Sequence, residues 1–371
     1  MEKSKEGLKM DILTQMVGIR DKIPYFLAAQ YHNSVKGYFK YSYSGDLYGG
    51  DIHWGLGSAA MALKLAYTVG LPKSDAMIAD AIAYIKSFEH KNGYFYDDLI
   101  YRKSFGRNLR NVVKHGQYDN LFNERYKRAE SRQSSSSLLL FEEFPQCLPD
   151  NIIYTGEWME KFLEKLNWSY PWEAGSHFSH LLFYLNLAYK MQKLSEQDFI
   201  RLRQIIIGWV GKMQSEETGS WYLKEPSPQQ KINGAMKVIT GYNIVDYTTI
   251  RYSEKLIDLC LDSINNEQAC DNFNIIYVLH YASCNCPGYR QKEIEEFAEK
   301  RFAIYLGYYH EKQGGFSFLP DGANQFYYNA KITEGKNEAD IHGTTLFMWG
   351  ISIISKILNI DEEVGIYEFK S

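Results

Sequence analysis

The sequence predicts an all-α protein, an (α/α)6 toroid of six inner and about six outer helices. Helix-period stretches dominate the 371 residues. They come in two alternating kinds, one apolar nearly all round and one amphipathic with its charges on one face, the signatures of buried and outer helices. No Pro-, Gly- or Ser-rich linker interrupts the alternation, so the chain reads as a repeat array closed on itself and as one domain over residues 1–371. Strand-like alternation is short, around residues 37–43 and 316–318.

Residues 9–30 make the first amphipathic stretch. The first inner helix opens at Asp51, followed by His53 and Trp54, and runs through small residues into an apolar segment. Residues 73–90 return as an outer helix. Residues 102–125 are basic and polar without clear periodicity and read as a long inserted connection, a kind of loop that often carries function. The second inner helix opens at Arg128, Glu130, Arg132 and Gln133 and continues through Ser134, Ser135, Ser136 and Ser137, a small-residue contact surface. An outer helix over 156–166 leads to the third inner helix, which opens with Trp172, Glu173, Gly175, His177 and His180. Residues 195–213 are outer, and Asn233, Gly234 and Lys237 open the fourth inner helix. Residues 251–264 are outer, and Asp271, Asn272 and Asn274 open the fifth. Residues 291–306 are outer, and Asp340, His342, Gly343 and Thr344 open the sixth. In such a ring the inner helices are parallel, so their N-termini, with unsatisfied N–H groups and partial positive charge, gather at one mouth. A pocket is expected there.

The net charge of -4 argues against a polybasic nucleic-acid or lipid-headgroup binder. Hydrophobic residues at 45% and charged residues at 23% suit a folded globular chain. The aromatic content of 15%, led by 30 Tyr, suits pocket walls that meet sugars or apolar ligands, and equally a Tyr-rich core. The five Cys make no zinc-finger or redox spacing, which leads to the expectation of a reduced, soluble, cytoplasmic protein. No secretory signal and no transmembrane segment is read. Phosphate-binding and nucleophile-elbow motifs are absent, so no nucleotide cofactor is expected and none is predicted, with a divalent metal left open; the charge balance gives no nucleic-acid partner.

The chemistry-bearing residues cluster at the inner openings. Asp51 with His53, and Asp340 with His342, form two Asp-x-His elements that ring closure would bring together. A carboxylate beside an imidazole suits acid–base catalysis, while Asp at such a position also suits a helix cap. Glu173 and His177 share a helix face, and with His180 they suit either a metal or a buried polar network. Arg128, Arg132 and Lys237 suit an anion such as a diphosphate, uronate or sulfate, or serve to neutralise Glu130 and the other acidic openings. Trp54, Trp172 and Tyr328 are expected to line the pocket, and Trp349, deeper in its helix, to sit in the core.

Three loops add a resemblance. Gln214, Gly219 and Trp221 follow a Q-x4-G-x-W pattern that resembles the QW repeat of terpenoid cyclases. Gly93 with Tyr94 and Phe95, and Gln313 with Gly314, Gly315 and Phe316, resemble the G-G-F variants of protein prenyltransferase β subunits. Mechanically, Gly permits the turn, the aromatic ring packs between hairpins and Gln bonds the next helix end. The stretch from Asp340 to Thr345 resembles the D-x-D-D-T acid motif of class II terpene cyclases, with His342 and Gly343 in place of its later aspartates. It also resembles the D-x-x-H-T zinc helix of the prenyltransferases, which implies His342 and Asp271 as zinc ligands, although Phe273 stands where that pattern has Cys. Six-hairpin glycan hydrolases and lyases are similar in length and character. The resemblances imply an enzyme with acid–base residues Asp340, His342, Asp51, His53 and Glu173 at the mouth of an aromatic cavity. Substrate would be held by Arg128, Glu130, Arg132, His177, Lys237, Asp271, Asn274, Trp54, Trp172 and Tyr328. An isoprenoid-like or anionic small molecule leads as substrate. A saccharide acted on by a hydrolase, lyase or epimerase is the alternative, and a non-catalytic binding module is the third reading.

Overall fold

The protein is described from a computed structural model that defines residues 5–49, 53–115 and 121–371. It is 58% helical, with 14 helices and only short strands among the described residues. In chain order the first helices are α1 (Lys5–Gln30), α2 (Leu56–Thr68), α3 (Ala76–Lys86), α4 (Asp98–His115), α5 (Glu124–Leu139), α6 (Gly156–Glu164) and α7 (Pro171–Lys190). They are followed by α8 (Glu196–Gly211), α9 (Pro228–Ile244), α10 (Ser253–Leu261), α11 (Ala269–Ser283) and α12 (Gln291–Leu306). Two hairpins, β1 (Tyr309–His310) with β2 (Gly315–Phe316) and β3 (Phe326–Tyr327) with β4 (Ala330–Lys331), precede α13 (Ile341–Ile357) and α14 (Asp361–Val364). Each stretch read as an inner or outer helix contains a helix at the expected place.

The contacts gather into two compact units. The first comprises Met1–Cys147, Glu267–Cys270 and Phe302–Phe369, and the second Leu148–Asn266, Asp271–Arg301 and Lys370–Ser371.

The first unit is built around α2. Every residue of α2 except Tyr67 is buried, because its small and apolar side chains leave no polar face. It packs against α3, α5 and α13. Lys64, buried in this helix, bonds Gln133 of α5 and lies 5.4 Å over the Phe369 ring. The β3–β4 hairpin turns through Tyr328 and Asn329, with φ of 42° and 70°. Two consecutive left-handed residues make a two-residue turn whose twist matches the flanking strands.

In the second unit the tightest packing joins α7 to α9, and glycines permit it. A Cβ on Gly234 would stand 2.6 Å from Pro171 Cβ, and one on Gly175 would stand 2.9 Å from the Gly234 carbonyl oxygen. The amphipathic helix α8 buries Phe199, Leu202, Ile206 and Val210 along one face and starts at Ser195, whose hydroxyl accepts from Asp198 N–H.

The three Gly/aromatic loops share one local geometry. Gly93, Gly219 and Gly314 all have φ between 70° and 77°. Phe95, Trp221 and Phe316 are fully buried. Gln214 Nε2 donates to the Gly219 carbonyl at 2.8 Å and to the Arg251 carbonyl, just ahead of α10, at 2.6 Å. The first and third loops dock alike. Ser131 Oγ accepts from Phe95 N–H at 2.8 Å and Thr344 Oγ1 accepts from Phe316 N–H at 2.9 Å, and each hydroxyl also bonds the carbonyl four residues back in its own helix.

One segment departs from expectation. Much of 102–125 belongs to helix α4 rather than to an irregular connection. Its inward stripe includes Ser104 and Asn108, so the usual apolar period is missing from the buried side. Those two polar groups are satisfied locally, by Asn123 Nδ2 at 2.9 Å from Ser104 Oγ and by Asn329 Nδ2 at 2.8 Å from Asn108 Oδ1. No helix among the described residues is long and apolar enough to cross a membrane.

Candidate functional site

A pocket of about 160 Å³ lies within the first unit, lined by Met61, Gln133, Asn324, Phe326, Tyr327, Tyr328 and His342. Met61 comes from α2 and Asn324 from the loop ahead of β3, and three further elements complete the lining. Helix α13 begins with the Asp340 cap and places His342 in its first turn. The β3–β4 hairpin supplies Phe326, Tyr327 and Tyr328, and α5 supplies Gln133 from the helix that also carries Glu130.

Asp340 is fully buried and works through the backbone. Its Oδ1 accepts from Gly343 N–H at 2.7 Å, and its Oδ2 accepts from Phe318 N–H at 2.8 Å and Asn324 N–H at 3.1 Å. Burial pushes its carboxyl up to about 7 against the pull of those N–H groups. The carboxylate thus ties the start of α13 to the loop that holds Asn324. Gly343 is required beside it, since a Cβ there would lie 2.5 Å from the Phe318 nitrogen.

His342 is half-buried, and its side chain meets Tyr41. Its Nδ1 is 3.1 Å from the Tyr41 hydroxyl, and Asn324 Nδ2 donates to that same oxygen at 3.2 Å. Burial raises the Tyr41 pKa far above the ordinary tyrosine range, so the hydroxyl keeps its hydrogen.

Across the pocket lining, the Tyr327 hydroxyl donates to Glu130 Oε2 at 2.5 Å. Glu130 is completely buried, and burial pushes it up to about 8, with Asp97 adding repulsion. At neutral pH it is therefore mostly a neutral acid. Its Oε1 has no hydrogen-bond partner among the described residues. Asp97 is a second buried acid, raised to about 6 by burial. Its backbone N–H donates to the Tyr126 hydroxyl at 3.2 Å, and the Tyr126 ring lies 6.3 Å from that of Tyr327. Gly57 of α2 makes room for this arrangement, because a Cβ there would come 2.6 Å from the Tyr327 hydroxyl oxygen.

Tyr328 holds a left-handed backbone that costs about 1–2 kcal/mol for an ordinary residue. Its ring packs 5.1 Å from Tyr126 and 4.8 Å from Tyr327. Burial and the nearby Glu130 raise its pKa, and the positive charges of Arg128 and Arg132 oppose the rise.

The other sequence-derived residues are distributed as follows. Asp51 lies outside the described residues. His53 is exposed and stacks on Phe88 at 3.7 Å, with Nε2 3.0 Å from Ser87 Oγ, and it shares no described contact with His342. Trp54 is a core residue that donates to the Gly49 carbonyl at 3.0 Å, and it does not line the pocket. Trp349 is buried and packs 4.3 Å from Phe369. Glu173, His177 and His180 lie on α7 in the second unit, where Glu173 Oε1 is 3.9 Å from His177 Nε2 and His180 is buried. Trp172 is half-buried on the same helix, and Lys237 is half-buried on α9.

Asp271 and Asn274 are buried in an amide network of the second unit. Asn233 Nδ2 donates to Asp271 Oδ1 at 3.0 Å, and Asn274 Nδ2 donates to Asn233 Oδ1 at 2.8 Å. Asn265 joins the same oxygen at 3.2 Å. Among the described residues no group of three or more His, Cys, Asp or Glu side chains is arranged to hold a metal ion. Asp271 and His342, paired by the zinc-helix resemblance, belong to different units.

Tyr41, Asn324, Phe326, Tyr327 and Met61 escape the sequence reading. The run from Asn324 to Asn329 carries the one signal that marks them, two aromatics ahead of a turn, and an aromatic-rich chain hides it. The chain matches no protein family, no curated protein and no solved structure.

Proposed function

We propose that the protein is an enzyme that moves protons on an acidic saccharide in the pocket of its first unit, as a lyase or epimerase. The observation that carries this reading is that His342 and Tyr327 share one small lining, with buried Glu130 bonded to the Tyr327 hydroxyl behind it. His342 Nε2 takes a proton from a carbon beside the substrate carboxylate. The Tyr327 hydroxyl gives its proton to the departing oxygen or to the same carbon, and protonated Glu130 passes its own proton to the tyrosine oxygen. Arg128 and Arg132, whose charges reach Tyr328, hold the carboxylate.

Several features favour this reading over the others. Gln133, Asn324 and His342 set hydrogen-bonding groups among the aromatic rings of the lining, a mixture that suits a sugar ring. The volume is below the roughly 300 Å³ of ordinary small-molecule sites, enough for one ring or headgroup. The described lining residues include no carboxylate, so the two-carboxylate geometry of glycoside hydrolysis has no support. The alternation of buried and amphipathic helices still favours an (α/α)6 toroid as the finer fold.

The test is exchange of solvent deuterium into a panel of uronate-containing oligosaccharides, followed by NMR, with His342→Ala and Tyr327→Phe alongside. Exchange or elimination that both variants lose supports the reading. Turnover of isoprenyl diphosphates with none of the uronates would replace it with the isoprenoid alternative.

A further inference from the structure

Helix α4 presents a surface that the pocket chemistry does not use. Phe105, Leu109 and Val113 recur every four residues, so they form one ridge. They are 46%, 44% and 79% exposed, and Phe122 beyond the helix is 65% exposed. These are large apolar side chains in water, grouped rather than scattered. The same helix carries Arg102, Lys103, Arg107, Arg110 and Lys114, all exposed, against one acidic residue, Asp98. This cationic strip belongs to a chain whose net charge is -4. At 3.6 residues per turn the buried stripe of Ser104, Asn108 and Val112 lies on one side of the ridge. Arg110 and Lys114 lie on the other, and Lys103 beside them stands 5.3 Å over the Tyr48 ring.

We propose that α4 is a membrane-surface helix that docks the protein on an anionic lipid bilayer. Phe105, Leu109, Val113 and Phe122 enter the boundary between headgroups and acyl chains, and the Lys and Arg residues meet lipid phosphates. A helix of this pattern lies in the interface and does not span it. The charge and the ridge together select this occupant. A polyanion such as nucleic acid would satisfy the cations and leave the apolar ridge in water. A second copy of the chain would cover the ridge and bring two cationic strips together, which repel. The fold also gives the docking a consequence. Arg107 lies 4.0 Å over the ring of Phe326, a residue of the pocket lining, and α4 packs on β4. Arg107 is on the side of α4 away from the ridge, so docking leaves the pocket rim on the protein side of the helix. The proposal stands on α4 alone and does not depend on the saccharide reading.

The experiment is flotation of the full chain with vesicles of phosphatidylcholine alone and of an equimolar mixture with phosphatidylglycerol, at low and high salt. The expected result is partition onto the anionic vesicles more than about tenfold above the neutral ones, weakening as salt rises. Leu109→Glu with Val113→Glu, both on exposed positions, abolishes it with an unchanged circular dichroism spectrum and melting temperature. Arg110→Glu with Lys114→Glu lowers partition onto anionic vesicles by more than about tenfold. The proposal is overturned if neither vesicle binds, if neutral vesicles bind as well as anionic ones, or if the Leu109/Val113 variant binds like the parent. Light scattering that shows a dimer broken by that variant, with no vesicle binding, assigns the ridge to self-association instead.

Discussion

The Tyr327 hydroxyl reaches Glu130 Oε2 across 2.5 Å, and both are buried between α2, α5 and the β3–β4 hairpin. A carboxyl in that setting prefers its proton, so the pair is a hydrogen-bonded acid and phenol at neutral pH rather than an ion beside a phenol. This relationship governs how the protein responds to pH.

Glu130 titrates near 8 when folded and near its ordinary 4.5 when unfolded. Between those values the folded state holds a proton that the unfolded state has released. Its contribution to stability is full below the unfolded value and is lost as pH rises through the folded one, at up to about 1.4 kcal/mol per pH unit. Denaturant melts from pH 5 to 8 are expected to show the parent losing stability more steeply than Glu130→Gln. Parallel slopes would mean that Glu130 is ionised in the folded protein.

Gly57→Ala puts a methyl group against the Tyr327 hydroxyl. In a helix Ala is intrinsically favoured over Gly by about 1 kcal/mol, so net destabilisation reports the clash alone. The expected loss is about 1–3 kcal/mol, with activity reduced at least tenfold as Tyr327 leaves Glu130. In a Tyr327→Phe background the same substitution costs less. The coupling in that double-mutant cycle is the quantity to measure.

Asp340→Asn replaces an oxygen that accepts from Phe318 and Asn324 with an amide group that cannot. Two buried N–H groups then lose a charged acceptor, and a cost on the order of 3 kcal/mol is expected. Calorimetry checks it. A variant as stable as the parent would show that the cap does not hold the loop in place.

Tyr41→Phe removes the partner of His342 Nδ1 while keeping the ring. Activity is expected to fall by roughly tenfold to a hundredfold with little change in KM, and the pH profile to shift as the imidazole loses its orientation. Nitrogen NMR of the His342 ring gives a second readout, a changed tautomer balance between parent and variant.

Periodicity and punctuation carried most of the helices. Their positions depend on local pattern, and the stretches around α2, α7, α8 and α13 state theirs clearly. The Gln214, Gly219 and Trp221 loop was legible for the same reason, since the turn glycine, the buried ring and the amide partner are set within a few residues. Helix α4 was not, because its buried face uses Ser104 and Asn108 while Phe105, Leu109 and Val113 face outward, the reverse of the pattern that marks a packed helix.

The sequence by itself determined a mostly helical chain, the alternation of two helix types and the polar openings of α5 and α13. Those follow from side-chain periodicity and capping, which act over a few residues. Only the tertiary structure decided that Asp340 serves backbone N–H groups, that His342 answers to Tyr41, and that Tyr327 stands on Glu130, 197 positions away in sequence. A buried acid acquires its proton preference from the groups packed around it, and those groups come from distant parts of the chain that only folding brings together.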